Sequence, residues 1–250
     1  MIIRRFEAIL MGIALLLCGA VSHSSWEPAS HHLLRPEIEL APRHPWIALT
    51  FDDGPHPVKT ERLLEVLKEA GVPATFFVVG KMAVRYPQIV QEIARQGHEV
   101  ANHTFTHPNL ASVDNKTLLN ELGQTRSVIQ KLTGQDTLLY RPPGGDYSHR
   151  TLKVASKAGY HMILWTVLTK DVNGASVSTM QHHILSSATD GAIVLMHSGI
   201  PNTVDMLPGV IEKLRQDGYH FVTVSQLLGF DHLHGGFESA PLPMNQIVSK

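Results

Sequence analysis

Short apolar runs alternate with amphipathic stretches along most of the chain. The runs predict seven strands, at residues 46–51, 74–79, 98–103, 138–141, 161–167, 192–197 and 220–224. The stretches between them predict helices at 60–70, 149–158, 177–188 and 204–217, with two further helices that end at Gly97 and Gly134. Unbroken apolar runs suit strands that are covered on both faces, as in parallel sheets that alternate with helices. The pattern therefore predicts a single α/β domain with a parallel sheet at residues 46–230.

The N-terminal segment, residues 1–22, carries the pattern of an export signal. Two arginines precede an apolar run at residues 8–21, and small residues follow at the spacing of a cleavage site. The run is shorter than the roughly 20 apolar residues that a spanning helix needs. We interpret the segment as a cleaved signal; an uncleaved anchor, or a lipid attached to Cys18, is the alternative. The mature protein is expected to act outside the cytoplasm, secreted or at the cell envelope, and to meet a membrane only through this segment.

Two polar segments flank the predicted domain. Residues 23–45 combine prolines with scattered histidines and are interpreted as a spacer. Residues 231–250 show no periodic apolar pattern and are interpreted as a flexible tail. Neither segment is expected to contribute to the chemistry.

Composition narrows the classes of function. The chain has 250 residues, of which 43% are hydrophobic and 17% charged, which is a globular composition. Its net charge of -1 provides no field to attract nucleic acid, so no nucleic-acid partner is expected. The single cysteine excludes an intrachain disulfide and limits any metal site to nitrogen and oxygen ligands. We expect a monomer.

Polar side chains lie at or just after the ends of five of the predicted strands. They are Asp52, Asp53, His103, His107, Arg141, Asp171 and His197. Each alone has an ordinary explanation, such as an Asp-Gly-Pro turn, a surface histidine or a structural arginine. Because the carboxyl ends of parallel strands meet at one edge, their coincidence predicts an active site there. Two histidines four positions apart, with Asp52 or Asp53 as third ligand, make a candidate metal site.

These residues fall within five short motifs that occur in a fixed order. The motifs are Thr50-Phe51-Asp52-Asp53-Gly54-Pro55, His103-Thr104-x-x-His107, Arg141-Pro142-Pro143, Asp171, and Leu195-x-His197. With them the chain resembles the polysaccharide deacetylase family (the NodB-homology domain, carbohydrate esterase family 4) over about residues 46–228. The resemblance implies a distorted (β/α) barrel of about seven parallel strands rather than eight regular units.

The resemblance also implies a role for each motif residue. Asp53, His103 and His107 would hold one divalent metal ion, with Zn²⁺ expected and Co²⁺ or another ion as alternatives. Asp52 would be the general base, and Arg141 would pair with it. His197 would be the general acid, with Asp171 as its carboxylate partner.

The residues expected to line the substrate pocket are Pro143, Gly144, Gly145, Leu195 and Val172. A backbone N–H of the Gly144–Gly145 segment is expected to stabilise the oxyanion. Two positions depart from the family pattern, because Gly144 replaces an aromatic residue and Val172 replaces a tryptophan. Both changes remove aromatic walls, so we expect an active enzyme with an altered pocket.

The function implied is removal of N-acetyl groups from the amino sugars of an extracytoplasmic polysaccharide. Peptidoglycan is the first candidate substrate, and chitin-type oligosaccharides are the second. Two alternatives stay open: a carbohydrate-binding envelope protein that has lost catalysis, and a deacylase that acts on another amide or ester. The complete set of metal and proton-transfer residues argues against the first alternative.

Overall fold

The computed structural model describes residues 44–230. Its strands are β1 (Trp46–Asp52), β2 (Thr75–Val78), β3 (Glu99–Asn102), β4 (Leu139–Tyr140), β5 (His161–Met162), β6 (Val167–Leu168), β7 (Ala192–His197) and β8 (His220–Phe221). Its helices are α1 (Lys59–Ala70), α2 (Gly80–Arg85), α3 (Pro87–Arg95), α4 (Asn115–Thr133), α5 (His149–Lys157), α6 (Val177–Ser187), α7 (Pro201–Gln216) and α8 (Val224–Leu228). The predicted signal segment, almost all of the predicted spacer and the predicted tail lie outside the described residues. None of the helices within residues 44–230 is long and apolar enough to cross a membrane.

All strand pairs described are parallel, and seven strands follow one path in the order β5-β4-β3-β2-β1-β7-β6. On one edge, β1 pairs with β7 from Ile47 to Asp52; its other edge pairs with β8 at the start and with β2 near the end. Within residues 44–230 no ladder joins β5 to β6, so the barrel is open there. The predicted α/β barrel of about seven parallel strands is confirmed.

Side chains of successive strand residues alternate between two apolar clusters. Leu49 and Phe51 of β1 belong to an outer cluster that packs under α1, α3 and α7. Ala48 belongs to an inner cluster with Phe77 of β2 and Leu227 of α8, which fills the barrel interior. Thr50 and Asp52 lie on the inner face of β1, so this strand places two polar side chains next to the inner apolar cluster, toward the carboxyl end of the strand.

Local signals account for the ends of the long helix α4. The side chain of Asp114 accepts a hydrogen bond of 2.6 Å from the N–H of Thr117, and Gly134 ends the helix with φ of 74°. Leu118 and Leu122 are buried on its inner face. This face brings a polar residue, Glu121, to the loop that follows β3.

The predicted strand at 161–167 is wrong, because the segment forms two short strands with different partners. β5 pairs with β4, whereas β6 pairs with β7. Between them, the carbonyl groups of Ile163 and Leu164 accept hydrogen bonds from the guanidinium of Arg141 rather than from a neighbouring strand. This switch of partners produces the opening of the barrel.

Two smaller predictions were also wrong. The segment between β2 and β3 holds two helices rather than one, because the backbone of Tyr86 is not helical and Pro87 starts α3 directly after it. The predicted strand at 220–224 ends at Phe221, since the side chain of Thr223 accepts a hydrogen bond from the N–H of Gln226 and begins α8.

Candidate active site

The polar residues predicted at strand ends meet at one edge of the barrel. Asp52 and His197 are the last residues of β1 and β7 and are direct partners in the parallel ladder. His103 follows β3, and Arg141 follows β4. Asp171 begins a short 3-10 turn after β6.

Asp53, His103 and His107 form a compact cluster. Their ligand atoms all lie within 4.8 Å of one another. Asp53 Oδ1 is 3.3 Å from His103 Nε2 and 3.1 Å from His107 Nε2. His103 is buried, whereas His107 is exposed, so the cluster lies between the interior and the solvent.

The protonation pattern of His103 shows that this cluster suits a cation. Its Nδ1 lies 2.9 Å from the backbone carbonyl of Arg141, which can only accept, so Nδ1 carries the hydrogen. In the neutral ring, Nε2 then presents a lone pair to Asp53 Oδ1. Two acceptors at that distance repel each other unless a proton or a metal ion lies between them. Two imidazoles and one carboxylate are a ligand set of catalytic zinc sites, and the residues therefore fit a divalent metal.

The electrostatics of the cluster are those of a tightly coupled set. Burial raises the pKa of Asp53, but its interactions with His103 and His107 outweigh burial and hold this pKa well below its ordinary value. The hydrogen bond to Asp53 raises the pKa of His107. The lowered pKa favours the carboxylate form of Asp53, which is the form that can bind a cation.

The cluster is held by unusual backbone conformations. Asp53, Thr104 and His107 have φ of 71°, 66° and 64°, the left-handed region that favours glycine. Such conformations cost about 1–3 kcal/mol each and persist where the surrounding contacts enforce them. Two of the three residues are candidate ligands, so the strain coincides with the candidate metal site.

Asp52 is fixed by a fully buried arginine. Arg141 Nη1 donates hydrogen bonds of 2.8 Å to both Asp52 Oδ1 and Thr50 Oγ1. The Arg141 guanidinium lies 4.1 Å from the centre of the Phe77 ring, which covers it. Since Oδ1 is engaged, the other oxygen, Oδ2, is the one directed to the cluster, 3.8 Å from His103 Nε2.

His197 is fixed by Asp171 in a similar way. Its Nδ1 donates to Asp171 Oδ1 over 2.9 Å, and its backbone N–H donates to Oδ2 over 2.8 Å. The N–H of Val172 and the hydroxyl of Thr203 each donate to the same carboxylate over 2.9 Å. Burial lowers the pKa of His197, but the hydrogen bond and charge of Asp171 outweigh it, and the pKa is raised above its ordinary value.

The residues predicted to line the pocket differ in their exposure to solvent. Pro143 and Leu195 are buried, whereas Gly144 is exposed and Val172 is 53% exposed. The N–H of Gly145 donates to the carbonyl of Pro142 over 2.9 Å, so of the two predicted amides that of Gly144 is the remaining candidate donor to an oxyanion.

Sequence reasoning missed several residues that support the site. A Cβ at Gly145 would lie 2.7 Å from the ring of Trp165, so this tryptophan packs against the turn Pro143–Gly145, here called the pocket loop. Thr50 could have been found, because it lies two residues before Asp52 and shares its face of β1. Thr203 and Glu121 lie on helices, and nothing in their local sequence indicates a role.

The open parallel barrel brings a candidate metal cluster, a fixed carboxylate and a fixed imidazole to its mouth, an arrangement that suits a hydrolase. The chain belongs to the polysaccharide deacetylase family, whose model matches residues 40–163. A peptidoglycan-N-acetylglucosamine deacetylase of Bacillus cereus is 35% identical over 213 residues, which cover 80% of this chain and 100% of that protein. A chitooligosaccharide deacetylase of Rhizobium leguminosarum bv. trifolii is 36% identical over 199 residues, which cover 79% and 90%.

The fold agrees with these matches. The crystal structure of the peptidoglycan N-acetylglucosamine deacetylase Bc1960 superposes with a TM-score of 0.71 and 36% identity, and the match covers 73% of this chain and 87% of that chain. The enzyme class supported by the matches is polysaccharide N-deacetylase.

Proposed function

We propose that this protein removes N-acetyl groups from the amino sugars of a polysaccharide outside the cytoplasm. The observation that carries the proposal is the convergence of a candidate metal cluster with a fixed carboxylate and a fixed imidazole. Peptidoglycan is the first candidate substrate and chitin-type oligosaccharide the second, because similar proteins are named for these activities. The export signal predicted at residues 1–22 supports the location.

Asp53, His103 and His107 are proposed to hold one divalent ion, with Zn²⁺ preferred and Co²⁺ or another ion as alternatives. When bound, the ion supplies Lewis acidity, which polarises an amide carbonyl and lowers the pKa of water. The contact between His103 Nδ1 and the Arg141 carbonyl leaves Nε2 as the ligand atom.

Asp52 is proposed as the general base. Its Oδ2 is directed to the cluster, while Arg141 holds Oδ1 and so sets the orientation of the carboxylate. Oδ2 takes a proton from the water molecule whose oxygen forms a bond to the carbonyl carbon. The backbone N–H of Gly144 is proposed to donate to the oxyanion that develops.

His197 is proposed as the general acid. Asp171 holds Nδ1, so Nε2 is the atom that gives a proton to the leaving nitrogen. Protonation lets the bond between carbon and nitrogen break, and the products are acetate and a free amine on the sugar. The raised pKa of His197 favours its protonated form, which a general acid requires.

A deacylase that acts on another amide or ester is a second candidate. The observation that favours it is the rim of the pocket, where Val172 and Gly144 are exposed in place of aromatic side chains. A pocket without those walls would contact a sugar ring less closely. Leu195 is proposed to contact the acetyl methyl group in either case, with Pro143 and Gly145 beside it.

Acetate release and metal content, measured on the same purified protein, test the proposal. The substrates are acetylated chito-oligosaccharides, peptidoglycan and simple acetyl esters, each with and without added Zn²⁺ or Co²⁺. Metal-dependent release from a glycan is expected, and Asp53→Ala is the matched inactive control. Release from esters alone would favour the second candidate. Absence of both bound metal and release would contradict catalysis and favour a binding protein.

A further inference from the structure

Glu121 of α4 is a buried acid that the proposed chemistry does not use. Only 6% of its surface is exposed. Its Oε2 accepts hydrogen bonds of 2.7 Å from the N–H groups of Phe105 and Thr106, and its Oε1 accepts one of 2.8 Å from the Thr106 hydroxyl. Within residues 44–230 no salt bridge involves Glu121, so these three donors are what compensates its burial.

The segment that Glu121 binds is the loop between the two candidate histidine ligands. The N–H of Thr104 donates to the side chain of Asn102 over 2.9 Å. The carbonyls of Thr104 and Phe105 each accept 2.9 Å hydrogen bonds, from the N–H groups of Gly80 and Lys81 at the start of α2. Glu121 supplies the acceptor for the remaining two amides of the loop, so β3, α2 and α4 together determine its path.

The loop decides where His107 lies, but not where His103 lies. His103 directly follows β3 and is held by the carbonyl of Arg141. The side chain of His107 is 42% exposed, and its backbone has φ of 64°. Without an acceptor, two amides of the loop would turn toward water, and the strained conformation before His107 would relax. The 3.1 Å separation of His107 Nε2 from Asp53 Oδ1 would then be lost.

We propose that Glu121 is a positioning residue of the metal site, which acts by holding His107 in reach of an ion bound to Asp53 and His103. This inference rests on the proposed metal site. We attribute the positioning of His107 to the length and acceptor geometry of the Glu121 side chain rather than to its negative charge. Glutamine can meet the same groups, with its carbonyl oxygen on the two amides and its NH₂ on the Thr106 hydroxyl. Aspartate keeps the charge but is one methylene too short.

Zn²⁺ affinity, measured by competition with a chelating dye on the full chain, tests the proposal with Glu121→Gln, Glu121→Asp and Glu121→Leu. We expect Glu121→Gln to stay within about threefold of wild type, and the other two to bind about 10–100-fold more weakly. Asn120→Ala, an exposed neighbour on the same helix, should leave affinity unchanged. Visible spectra of the Co²⁺ forms report whether His107 is still a ligand.

The outcomes separate this proposal from the proposed metal site. A wild-type protein that binds no metal overturns both. A wild-type protein that binds Zn²⁺, with Asp and Leu variants that bind it equally well, overturns the role of Glu121 alone. A lower melting temperature of the metal-free Asp variant with unchanged affinity shows a purely structural role. If Glu121→Leu does not fold, the comparison of Glu121→Asp with Glu121→Gln tests the proposal. Weak Zn²⁺ binding by Glu121→Gln together with tight binding by Glu121→Asp would contradict the proposal that side-chain length and acceptor geometry position His107.

Discussion

Asp52 and His197 are direct register partners at the ends of β1 and β7. Neighbouring strands lie about 4.8 Å apart, so the ladder itself sets the separation of the proposed base from the proposed acid. Each side chain is then oriented from outside this pair, Asp52 by Arg141 and His197 by Asp171. The two groups can therefore be tested one at a time, because their supports do not overlap.

Asp52→Asn should keep the metal and lose turnover. The amide oxygen can still accept from Arg141, so the fold and the ligands are preserved, but the amide cannot take a proton. We expect turnover to fall by about 10²–10⁴-fold, the contribution usual for a general base. Acetate release and Zn²⁺ content are measured on one sample. Turnover near that of wild type would remove Asp52 as the base.

Arg141→Leu should lower the free energy of unfolding by about 3–5 kcal/mol, because it leaves the carboxylate of Asp52 buried without its partner. Urea unfolding measures this loss. The matched control is Arg126→Leu, whose pair with Asp136 is about one-third exposed and should contribute about 0–1 kcal/mol. Equal losses in the two variants would show that burial of the Arg141 pair carries no special weight.

The residues at strand ends could be predicted because parallel strands all point their carboxyl ends to one edge. A correct assignment of the strands was enough to predict that Asp52, His103 and His197 lie close together. The opening of the barrel could not be predicted, because residues 162–165 form an unbroken apolar run and the change of partner depends on a guanidinium about 20 positions earlier in the chain.

The hydrogen bonds from helix side chains to the site also could not be predicted from the sequence. Thr203 reaches Asp171 across 32 positions, and Glu121 reaches Thr106 across 15. Both residues lie within ordinary amphipathic helices, where a threonine or a glutamate has no distinguishing pattern. Such contacts follow from how layers pack, which local periodicity does not encode. The packing of Trp165 on Gly145 is a third contact of this kind. The two residues lie in different segments, and the hydrophobic pattern does not show that these segments meet.

Removal of the side chain of Asp53 or of His107 should abolish tight metal binding. Asp53→Ala and His107→Ala each leave two of the three ligand atoms that lie within 4.8 Å. We expect substoichiometric Zn²⁺ after dialysis and loss of metal-dependent acetate release. His182→Ala, an exposed histidine on α6, is the control and should retain the metal. Stoichiometric Zn²⁺ in both ligand variants would contradict the assignment.

Asp171→Asn should move the alkaline limb of the profile of kcat/KM against pH to lower pH. An acid works only while protonated, so activity is lost as pH rises through the pKa of His197. Asp171 raises that pKa, and its neutralisation removes the raising charge. Loss of an adjacent opposite charge corresponds to about 1–3 pH units. Asp205→Asn, an exposed position, should leave the limb in place, and an unmoved limb in Asp171→Asn would separate His197 from the acid role.

Gly145→Ala should destabilise the protein more than Gly144→Ala, although both glycines have positive φ, of 74° and 63°. The left-handed conformation costs an alanine about 1–2 kcal/mol at either position. Only at Gly145 does a Cβ also meet a side chain, 2.7 Å from the Trp165 ring, whereas at Gly144 the nearest atom is 3.6 Å away. Urea unfolding of the two variants, and of Gly145→Ala combined with Trp165→Ala, separates the clash from the backbone strain. Because the shorter side chain removes the ring, the second substitution should cost less in the Gly145→Ala background than in wild type. Equal costs in both backgrounds would show that Trp165 does not pack on this loop.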